Sequence, residues 1–448
     1  MKADIFPDQP PFPVQRLYVH IPFCAGKCAY CDFYSVRADS VGDSVLSAYV
    51  DAVLRQAERW AAQFNAAAFR SIYVGGGTPT VLGPALLGRL VKNLGQYACE
   101  TCEFTVEANP ESLGEAIIDT LTETRVNRIS LGMQTLSEEE WPILGRTGSV
   151  HASLDALERL VQRDLPWDLS ADFLAGIPVP EDKRTGDSVV SSLARAADFV
   201  SHLSVYDLTI EEGTPLARSI RRGELKAPGE ETLYRLRKHV DAFLGQKGFV
   251  RYEISNYARP GHESSHNAGY WNYEPYLGLG AGAVSGLLYP AAQIGDSLSC
   301  MAHGEQNSAP GLAHAEFASA PGMPRGELGS VLRLNTAKNL HLYMEDPAAI
   351  NSEHCAVEHV GKDTAAFEFL MMGFRMRQGI DGARFARLFG CCVQDLIPNT
   401  LRKWQMQLVV WGDRLALKPG CLDILNRFLV DCLEEMDMAS RPQKTSLR

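Results

Sequence analysis

Residues Arg16 to Phe33 read RLYVHIPFCAGKCAYCDF. The segment places Cys24, Cys28 and Cys31 in a C-x3-C-x2-C spacing directly after an extended apolar run. Cysteine thiolates are the usual ligands of a cubane iron–sulfur cluster, which normally takes four of them. Three thiolates on one short loop would therefore leave the fourth iron open to another ligand. Three structural or zinc-binding cysteines are the alternative, although zinc sites favour paired C-x2-C knuckles.

Outward from this segment, strand-like and helix-like stretches alternate, which indicates an α/β fold with a parallel sheet and crossover helices. Apolar residues at helical spacing predict a long helix from Leu46 to Phe64 after the cysteine loop. The predicted strands are Leu17–Pro22, Ser71–Val74, Phe104–Ala108, Arg128–Leu131, Leu169–Ile177 and His202–Leu208.

Candidate functional residues recur at the C-terminal ends of these strands. Barrel folds place their sites there, because the βα loops converge at that end. The cysteines follow the first predicted strand, and Gly75–Gly77 follow the second. Glu107 closes the third strand, Gln134 follows the fourth and Asp172 lies within the fifth. The shared position predicts that these residues belong to one site.

Several of these candidates have a less specific interpretation. Three successive glycines allow a ligand to approach the main chain, but they also suit a tight turn. Glu107 is placed to accept hydrogen bonds from a ligand or to form a salt bridge at a strand end. Arg146 has a fork of donors that suits a carboxylate, or it lies on a solvated face. Cys99 and Cys102 are interpreted as free thiols, because no second half of a metal site is nearby in sequence.

The remaining sequence suggests how the chain divides. A helix is predicted at 230–246 and a strand at 248–257. In the C-terminal part, helical stretches surround a two-strand candidate at 408–417, an order that fits a small winged-helix domain. The predicted divisions are an irregular lead-in (1–15), a barrel with its extension (16–290), a flexible Gly/Ala/Pro/Ser-rich insertion (291–327), a connecting segment (328–363) and the C-terminal domain (364–448).

Composition excludes several classes of function. The 448 residues are 46% hydrophobic and 22% charged, as in ordinary globular chains. A net charge of −11 argues against nucleic acid or an anionic membrane as the main partner. The absence of a signal peptide pattern and of a long apolar run predicts a cytoplasmic protein without stable membrane insertion. Eleven cysteines are too sparse for a disulfide scaffold. A homodimer is compatible with the sequence, which does not specify the oligomeric state.

The motifs YVHIPFC, YCDF, GGGTPT, VEANP, LGMQ, LGRT, DFLAGIP, EISNYA and HNAGYW together resemble the oxygen-independent coproporphyrinogen-III oxidase-like family of the radical SAM superfamily. Within that family the resemblance is to the heme chaperone branch, and it covers nearly the whole chain. It implies an incomplete (β/α)6 barrel with a C-terminal, mainly helical, winged-helix-like domain. It also implies heme and a [4Fe-4S] cluster whose open iron takes the amino and carboxylate groups of S-adenosylmethionine (SAM).

The resemblance also implies roles for individual residues. The residues matching cluster ligands are Cys24, Cys28 and Cys31. Those matching contacts to the cluster-bound SAM are Tyr18, Gly76 and Glu107. Those matching the positions that hold a second SAM in the oxidase are Tyr30, Gly77, Thr78, Gln134, Arg146 and Asp172. Gly148 departs from the pattern, because these relatives usually have histidine two residues after the arginine.

Two features favour the chaperone branch over the oxidase. The oxidase has a fourth cysteine two residues after the third, where this chain has Phe33, and it has a longer extension before its first strand. The signature His266-Asn267-x-x-Tyr270-Trp271 is typical of the chaperone branch. Histidine often ligates heme iron and aromatic rings pack on porphyrins, so His266 is assigned a heme-related role. A hydrogen-bonded core histidine and core packing of the two aromatic residues are the alternatives.

The sequence therefore predicts a heme chaperone that carries a [4Fe-4S] cluster with SAM and transfers heme to an acceptor protein of unknown identity. We expect no coproporphyrinogen oxidase activity from it. The first alternative is that the chain is the oxidase itself. The second is a nucleic-acid-binding or RNA-modifying radical SAM protein, which the winged-helix-like tail suggests but the acidic charge disfavours.

Overall fold

A computed structural model of the chain describes residues 6–7, 9–66, 68–179, 188–291 and 326–440. The flexible insertion predicted at 291–327 lies almost wholly outside the described residues, as does part of the lead-in at 1–15. In the part of the chain that is described, no helix combines the length and the apolar character needed to cross a membrane.

The fold is built from seventeen strands and fifteen α-helices within these residues. The strands are β1 (Arg16–Ile21), β2 (Phe23–Cys24), β3 (Val36–Arg37), β4 (Phe69–Gly76), β5 (Ala98–Ala108), β6 (Arg128–Gln134), β7 (Asp168–Ala175), β8 (His202–Asp207), β9 (Val250–Arg251), β10 (Asn256–Ala258), β11 (Leu277–Leu279), β12 (Val284–Pro290), β13 (Leu328–Thr336), β14 (Cys355–Val360), β15 (Ile380–Asp381), β16 (Leu408–Trp411) and β17 (Arg414–Leu417). The helices are α1 (Asp43–Gln63), α2 (Gly83–Leu94), α3 (Glu115–Thr122), α4 (Trp141–Leu144), α5 (Val150–Gln162), α6 (Ser188–Ala196), α7 (Pro215–Arg221), α8 (Glu230–Gln246), α9 (Ser265–Trp271), α10 (Leu340–Glu345), α11 (Lys362–Gly373), α12 (Gly382–Phe389), α13 (Val393–Leu396), α14 (Pro398–Lys403) and α15 (Leu425–Ser440).

The six predicted strands form the centre of a nine-stranded sheet with the order β11-β1-β4-β5-β6-β7-β8-β10-β9. Strands β1 and β4 to β8 are parallel to one another, whereas β10 pairs antiparallel with β8. Their near-continuous apolar runs suit strands covered on both faces; β6, for example, is buried from Arg128 to Met133. The predicted α/β fold with six β/α units is confirmed, and the C-terminal ends of the six strands lie at one end of the sheet.

Two segments differ from their predicted form. The single strand predicted at 248–257 is a pair of short antiparallel strands, in which Tyr257 faces Arg251 and Ala258 faces Val250. The Ser255 amide donates to the Glu253 carboxylate at 3.2 Å between these strands and stabilises the turn. The segment predicted as a connection at 328–363 contains β13 and β14, which form an antiparallel sheet with β12.

The C-terminal part has a hydrophobic core of its own. Phe374, Phe385 and Phe428 are fully buried there, among the helices α11 to α15. Strands β16 and β17 form the predicted hairpin, and Gly412 supplies the positive φ of +59° that its turn requires. The core also receives Leu288 and Val331 from the sheet β12-β13-β14. The C-terminal helices therefore pack directly on that sheet, and the predicted domain boundaries stay a prediction.

Candidate functional site

The loop that carries Cys24, Cys28 and Cys31, called the cysteine loop, lies between the glycine segment (Gly75–Gly77) and the C-terminal end of α4. Cys24 ends β2, and the loop continues through Cys28 and Cys31 before β3. The Gly77 amide donates to the Ile21 carbonyl at 2.8 Å, and the Thr78 amide donates to the Phe23 carbonyl at 2.7 Å. On the opposite side, the Ala29 amide donates to the Leu144 carbonyl at 2.8 Å. Both flanks of the loop are thus tied to the barrel by main-chain hydrogen bonds.

The three thiols influence one another electrostatically. Burial raises the pKa of the Cys24 thiol and raises that of Cys28 to about 11, and negative charge at Cys31 raises both further. The positive charge of Arg146 lowers the pKa of Cys28, and the Thr78 hydroxyl donates to the Cys24 sulfur at 3.8 Å. The sulfurs are therefore close enough to repel each other as thiolates. Bound iron would reverse this effect, because a metal deprotonates a coordinating thiol.

Cysteine thiolates ligate both zinc ions and iron–sulfur clusters. Among the described residues, no three histidine, cysteine or carboxylate side chains surround a point suited to one metal ion. A tetrahedral zinc site needs its ligands gathered in that way. In a cubane each thiolate binds a different iron, so three partly exposed thiols spread along one loop suit a [4Fe-4S] cluster.

Gly75, Gly76 and Gly77 leave room that no other residue type would leave. A Cβ on Gly77 would lie 2.6 Å from the Phe23 carbonyl oxygen, and one on Gly75 would lie 2.6 Å from the Glu107 carboxyl carbon. Gly76 has a φ of +106°, and its Cβ would lie 2.3 Å from the His20 ring. The glycines therefore permit close contact between β4, the cysteine loop and the carboxylate of β5.

Glu107 projects from the end of β5 into this contact. The Tyr73 hydroxyl donates to its Oε1 at 2.7 Å, and the Gly76 amide donates to its Oε2 at 2.9 Å. Burial raises the pKa of Glu107 to about 7, with a further contribution from the negative charge of Asp172, while the two hydrogen bonds lower it. In the absence of a cationic ligand, Glu107 therefore titrates near neutral pH and is protonated at mildly acidic pH. An amino group bound beside it would favour the carboxylate.

Asp172 lies on β7, across the mouth of the barrel from Glu107. Burial raises its pKa, while hydrogen bonds from Ser204 and Ser130 and the positive charge of Arg128 lower it. The Ser130 hydroxyl lies 3.1 and 3.0 Å from the two carboxylate oxygens. Two partly buried carboxyl groups thus face a common space, which is suited to ligand amino or hydroxyl groups.

Tyr18 belongs to a chain of hydrogen bonds that ends next to the cysteine loop. Its hydroxyl lies 2.8 Å from Nδ1 of His20, and Nε2 of His20 lies 3.1 Å from the Tyr34 carbonyl oxygen. Because a carbonyl only accepts, Nε2 carries the proton and Nδ1 accepts from the Tyr18 hydroxyl. Burial lowers the pKa of His20, which keeps the ring neutral in this arrangement.

Arg146 contacts the end of β6 and the acidic residue Glu111. Its Nη1 donates to the carbonyl oxygens of Gly132 at 2.7 Å and of Met133 at 3.1 Å, and its Nη2 lies 3.7 Å from Glu111. The side chain is 1% exposed, and its buried Nε has no hydrogen-bond partner within the described residues. Nε is thus a buried donor without a partner among the described residues, whereas Nη1 donates to the main chain.

Three other predicted residues lie around the same space. Gln134 ends β6 with a φ of +65°, a left-handed conformation that is costly for a residue other than glycine and is often found at functional sites. Thr78 is 2% exposed and accepts a hydrogen bond from the Asn109 amide at 3.0 Å. Tyr30 has a raised pKa because of burial and of the negative charge of Cys28.

His266 lies in α9, away from the cysteine loop, and is 1% exposed. Its Nδ1 lies 2.9 Å from the Ser71 hydroxyl, and its Nε2 lies 3.1 Å from the Tyr270 hydroxyl. The ring stacks on Tyr73 with 5.1 Å between centroids. Burial and the positive charge of Arg16 lower the pKa of His266 to about 3, so the ring is neutral. Both ring nitrogens are therefore engaged in this conformation.

Several site residues were not predicted from the sequence. His20 supports Tyr18, Tyr73 supports Glu107, and Ser130 supports Asp172. The alternation of side chains along a strand offered one signal, because His20 follows Tyr18 by two residues and faces the same side of β1. The other two contacts join different strands and depend on register, which places Tyr73 opposite Thr105 and Ser130 opposite Ser170.

The barrel, the three-cysteine loop and the glycine segment define a radical SAM protein. Residues 18–188 match the Radical SAM superfamily, and residues 360–421 match the HemN C-terminal domain. Coproporphyrinogen III oxidase (HemN) from Escherichia coli has a similar fold, with a TM-score of 0.68 at 18% identity over 96% of this chain and 91% of that one.

Sequence similarity narrows the class. Heme chaperone HemW from Lactococcus lactis is 30% identical over 400 residues, which cover 89% of this chain and 91% of that protein. Heme chaperone HemW from Mycobacterium tuberculosis is 35% identical over 282 residues, covering 62% and 71% of the two chains. The chain belongs to this HemW family, and membership of the radical SAM superfamily implies a [4Fe-4S] cluster and SAM.

Proposed function

We propose that this protein is a heme chaperone, which binds heme and delivers it to an acceptor protein and which carries a [4Fe-4S] cluster with SAM. The proposal rests on the similarity to heme chaperone HemW along 89% of the chain. Phe33 supports it, because this side chain stands where the oxidase has its fourth cysteine and is 68% exposed beside the cysteine loop.

Cys24, Cys28 and Cys31 would hold the cluster. When bound, the cluster supplies an open iron for SAM and a site of one-electron chemistry. Gly76 lets the His20 ring approach β4 and donates its amide to Glu107, whose carboxylate would also accept hydrogen bonds from a ligand amino group. The hydroxyl of Tyr18 is held in place by His20 and lines the same side.

The residues matching the second SAM position of the oxidase form the far side of the same space. Asp172 offers a carboxylate, and Arg146 offers its unpaired Nε. Gln134, Tyr30, Gly77 and Thr78 complete this side. We assign to it a small ligand with both amino and carboxylate groups, because acceptors and a donor face each other across the space.

In this conformation, we propose, His266 affects heme binding indirectly, by positioning other residues and not by ligating the iron. Ligation of iron by Nε2 would first have to break the hydrogen bond to Tyr270. His266 instead connects α9 to β4 through Ser71, and so positions the segment that ends in Trp271. The heme absorption spectrum of His266 variants distinguishes an axial ligand from a positioning residue.

The test uses anaerobically purified protein with its cluster reconstituted. One portion is titrated with heme and then mixed with apo-acceptor candidates, and heme transfer is followed by absorbance. A second portion is incubated with coproporphyrinogen III, SAM and a reductant. Tight heme binding with transfer and without protoporphyrinogen formation supports the chaperone. Turnover to protoporphyrinogen without heme binding would overturn it in favour of the oxidase.

A further inference from the structure

A cavity of about 490 Å³ lies between the β8 edge of the barrel and the C-terminal domain. Its size is within the range typical of small-molecule sites. The barrel contributes the ends of β7 and β8, including Tyr206 and Asp207. Helix α8 contributes Arg237, and the C-terminal domain contributes Leu422 and Asp423. The cavity is therefore assembled from the two cores of the protein.

Most charges around this cavity are matched within the protein. Arg237 pairs with Asp207, and Arg251 lies 3.4 Å from Asp241. Asp423 is 6% exposed at its side chain and lies 2.7 Å from Nζ of Lys238. Arg237, Arg251 and Lys238 are thus each paired with a carboxylate, and the charges of these six groups cancel.

Among the cationic side chains that line the cavity, Arg375 is the one that has no ion pair with a carboxylate in the described residues. It follows α11 and lines the cavity, and its guanidinium carbon lies 5.5 Å from the centroid of the Trp271 ring. Its Nε is buried and has no hydrogen-bond partner in the described part of the chain. A buried donor without a partner is costly. A ligand carboxylate on the cavity side of the guanidinium would supply the missing counter-charge, because a guanidinium forms charge-assisted hydrogen bonds with that group.

One residue of the cavity lining, Tyr206, is close enough to the candidate site to be influenced by the charges there. Tyr206 lines the cavity and is 41% exposed. Desolvation raises the pKa of this tyrosine, the negative charges of Asp172, Glu253 and Glu107 raise it further, and a hydrogen bond with Ser204 lowers it. The apolar part of the lining includes Val205 and Leu422, which are 8% and 5% exposed. A ligand in this cavity would contact apolar side chains and the guanidinium of Arg375, and it would lie next to Tyr206.

We infer that this cavity holds the propionate edge of the heme, with Arg375 as the anchor for a propionate carboxylate. This inference rests on the proposed chaperone function and names the part of the protein that recognises the cargo. A heme combines a planar apolar ring with two carboxylates at one edge. The exposed ring of Tyr206 offers an aromatic face to the porphyrin, and the guanidinium of Arg375 matches a carboxylate.

The test compares heme with its dimethyl ester, in which both propionates are esterified. Both are titrated into the full, cluster-reconstituted chain as the parent protein, as Arg375→Leu and as Arg377→Leu. Arg377 is exposed two residues further along and serves as the matched control. The parent protein is expected to bind heme about 10- to 100-fold more tightly than the ester, as for a charge-assisted pair. Arg375→Leu should remove this preference, and Arg377→Leu should retain it.

The outcomes separate this inference from the function on which it rests. Heme binding that is tight in the parent protein and unchanged in Arg375→Leu would overturn the cavity assignment and leave the chaperone function standing. Absence of heme binding in the parent protein would overturn both. An equal loss of heme and ester affinity in Arg375→Leu would indicate a packing role and also count against the anchor. Arg375→Lys retains the charge and should keep part of the preference, which provides a second variant if the leucine variant folds poorly.

Discussion

The main-chain N–H of Gly76 donates a hydrogen bond of 2.9 Å to Oε2 of Glu107, which joins the ends of two neighbouring strands. Gly75 lies so close to the same carboxylate that a Cβ there would clash with it at 2.6 Å. The glycine segment and the carboxylate therefore form one structural unit, although 31 positions separate Gly76 from Glu107. The unit has two consequences that can be measured in the protein without its cofactors.

The first consequence concerns pH. The pKa of Glu107 is raised to about 7, from 4.5 for an ordinary glutamate. Between these values the folded protein keeps a proton that the unfolded chain has lost. The free energy of unfolding therefore falls as pH rises through this interval, by roughly 2–3 kcal/mol from this group. Glu107→Gln should remove this contribution. Urea unfolding of the cofactor-free protein at pH 5 and pH 8 measures it.

Groups that titrate equally in the parent protein and in Glu107→Gln contribute equally to the pH dependence of both. Their contribution therefore cancels in the difference between the two free energies of unfolding. The difference between parent protein and variant should change by that amount from pH 5 to pH 8. An equal pH dependence in both proteins would show that Glu107 titrates normally.

The second consequence concerns the space beside the cysteine loop. Gly77→Ala would bring a Cβ to 2.6 Å from the Phe23 carbonyl and 2.8 Å from the Ile21 carbonyl. Both contacts are to main chain, so the loop has to move, at a cost of about 1–3 kcal/mol. Thermal unfolding should show the loss, and iron uptake on reconstitution should fall with it. Gly245→Ala is the control, because no atom lies within 4 Å of its Cβ position at the end of α8.

In that control the alanine should stabilise the helix by about 0.5–1 kcal/mol. Equal stability losses at both positions would mean that glycine is needed for backbone freedom in general. A Gly77→Ala protein with full stability and full iron content would show that the loop tolerates a side chain there.

The sequence predicted the parallel strands because each is an apolar run bounded by turn residues. It also predicted α8 at its observed bounds, Glu230–Gln246. It did not reveal the sheet β12-β13-β14, because residues 291–327 separate the first two strands in sequence. Pairing across such a distance leaves no local pattern.

The sequence predicted those site residues that lie at the C-terminal ends of strands. The partners of those residues were less predictable, because they depend on strand register and on tertiary contacts. His266 lies 195 positions from Ser71, so its engagement could not be foreseen from its motif. Arg146 was expected to offer its fork to a ligand, and the structure shows that the Gly132 carbonyl takes part of it.

The cluster assignment is tested by replacing one thiol. Cys28→Ser should lose most iron and acid-labile sulfide, because serine does not replace a thiolate ligand at this cluster. The fold should persist, since Cys28 lies in a loop and is partly exposed. Circular dichroism and iron content measure the two effects. Cys99→Ser is the matched control, as Cys99 is a partly exposed free cysteine outside the loop. Full cluster content in Cys28→Ser would contradict the ligand assignment.

The role of His266 is tested by two substitutions. His266→Leu leaves the hydroxyls of Ser71 and Tyr270 without their shared partner, and should lower the free energy of unfolding by about 1–3 kcal/mol. His266→Gln offers a donor and an acceptor and should recover part of this loss. If the role is structural, the heme absorption spectrum of the glutamine variant stays that of the parent protein. A changed axial ligand spectrum in both variants would establish direct ligation.

The contact between the barrel and the C-terminal domain depends on Asp423. This carboxylate is 6% exposed and lies 2.7 Å from Lys238, 3.5 Å from Arg237 and 3.9 Å from Arg251. Asp423→Asn leaves these cations without their shared counter-charge, and a cost of about 3 kcal/mol is expected for a buried group of this kind. Asp346→Asn is the control, because its pair with Arg59 is 50–60% exposed and contributes at most about 1 kcal/mol. Urea unfolding of both variants measures the difference, and equal small losses would show that water already screens Asp423 in solution.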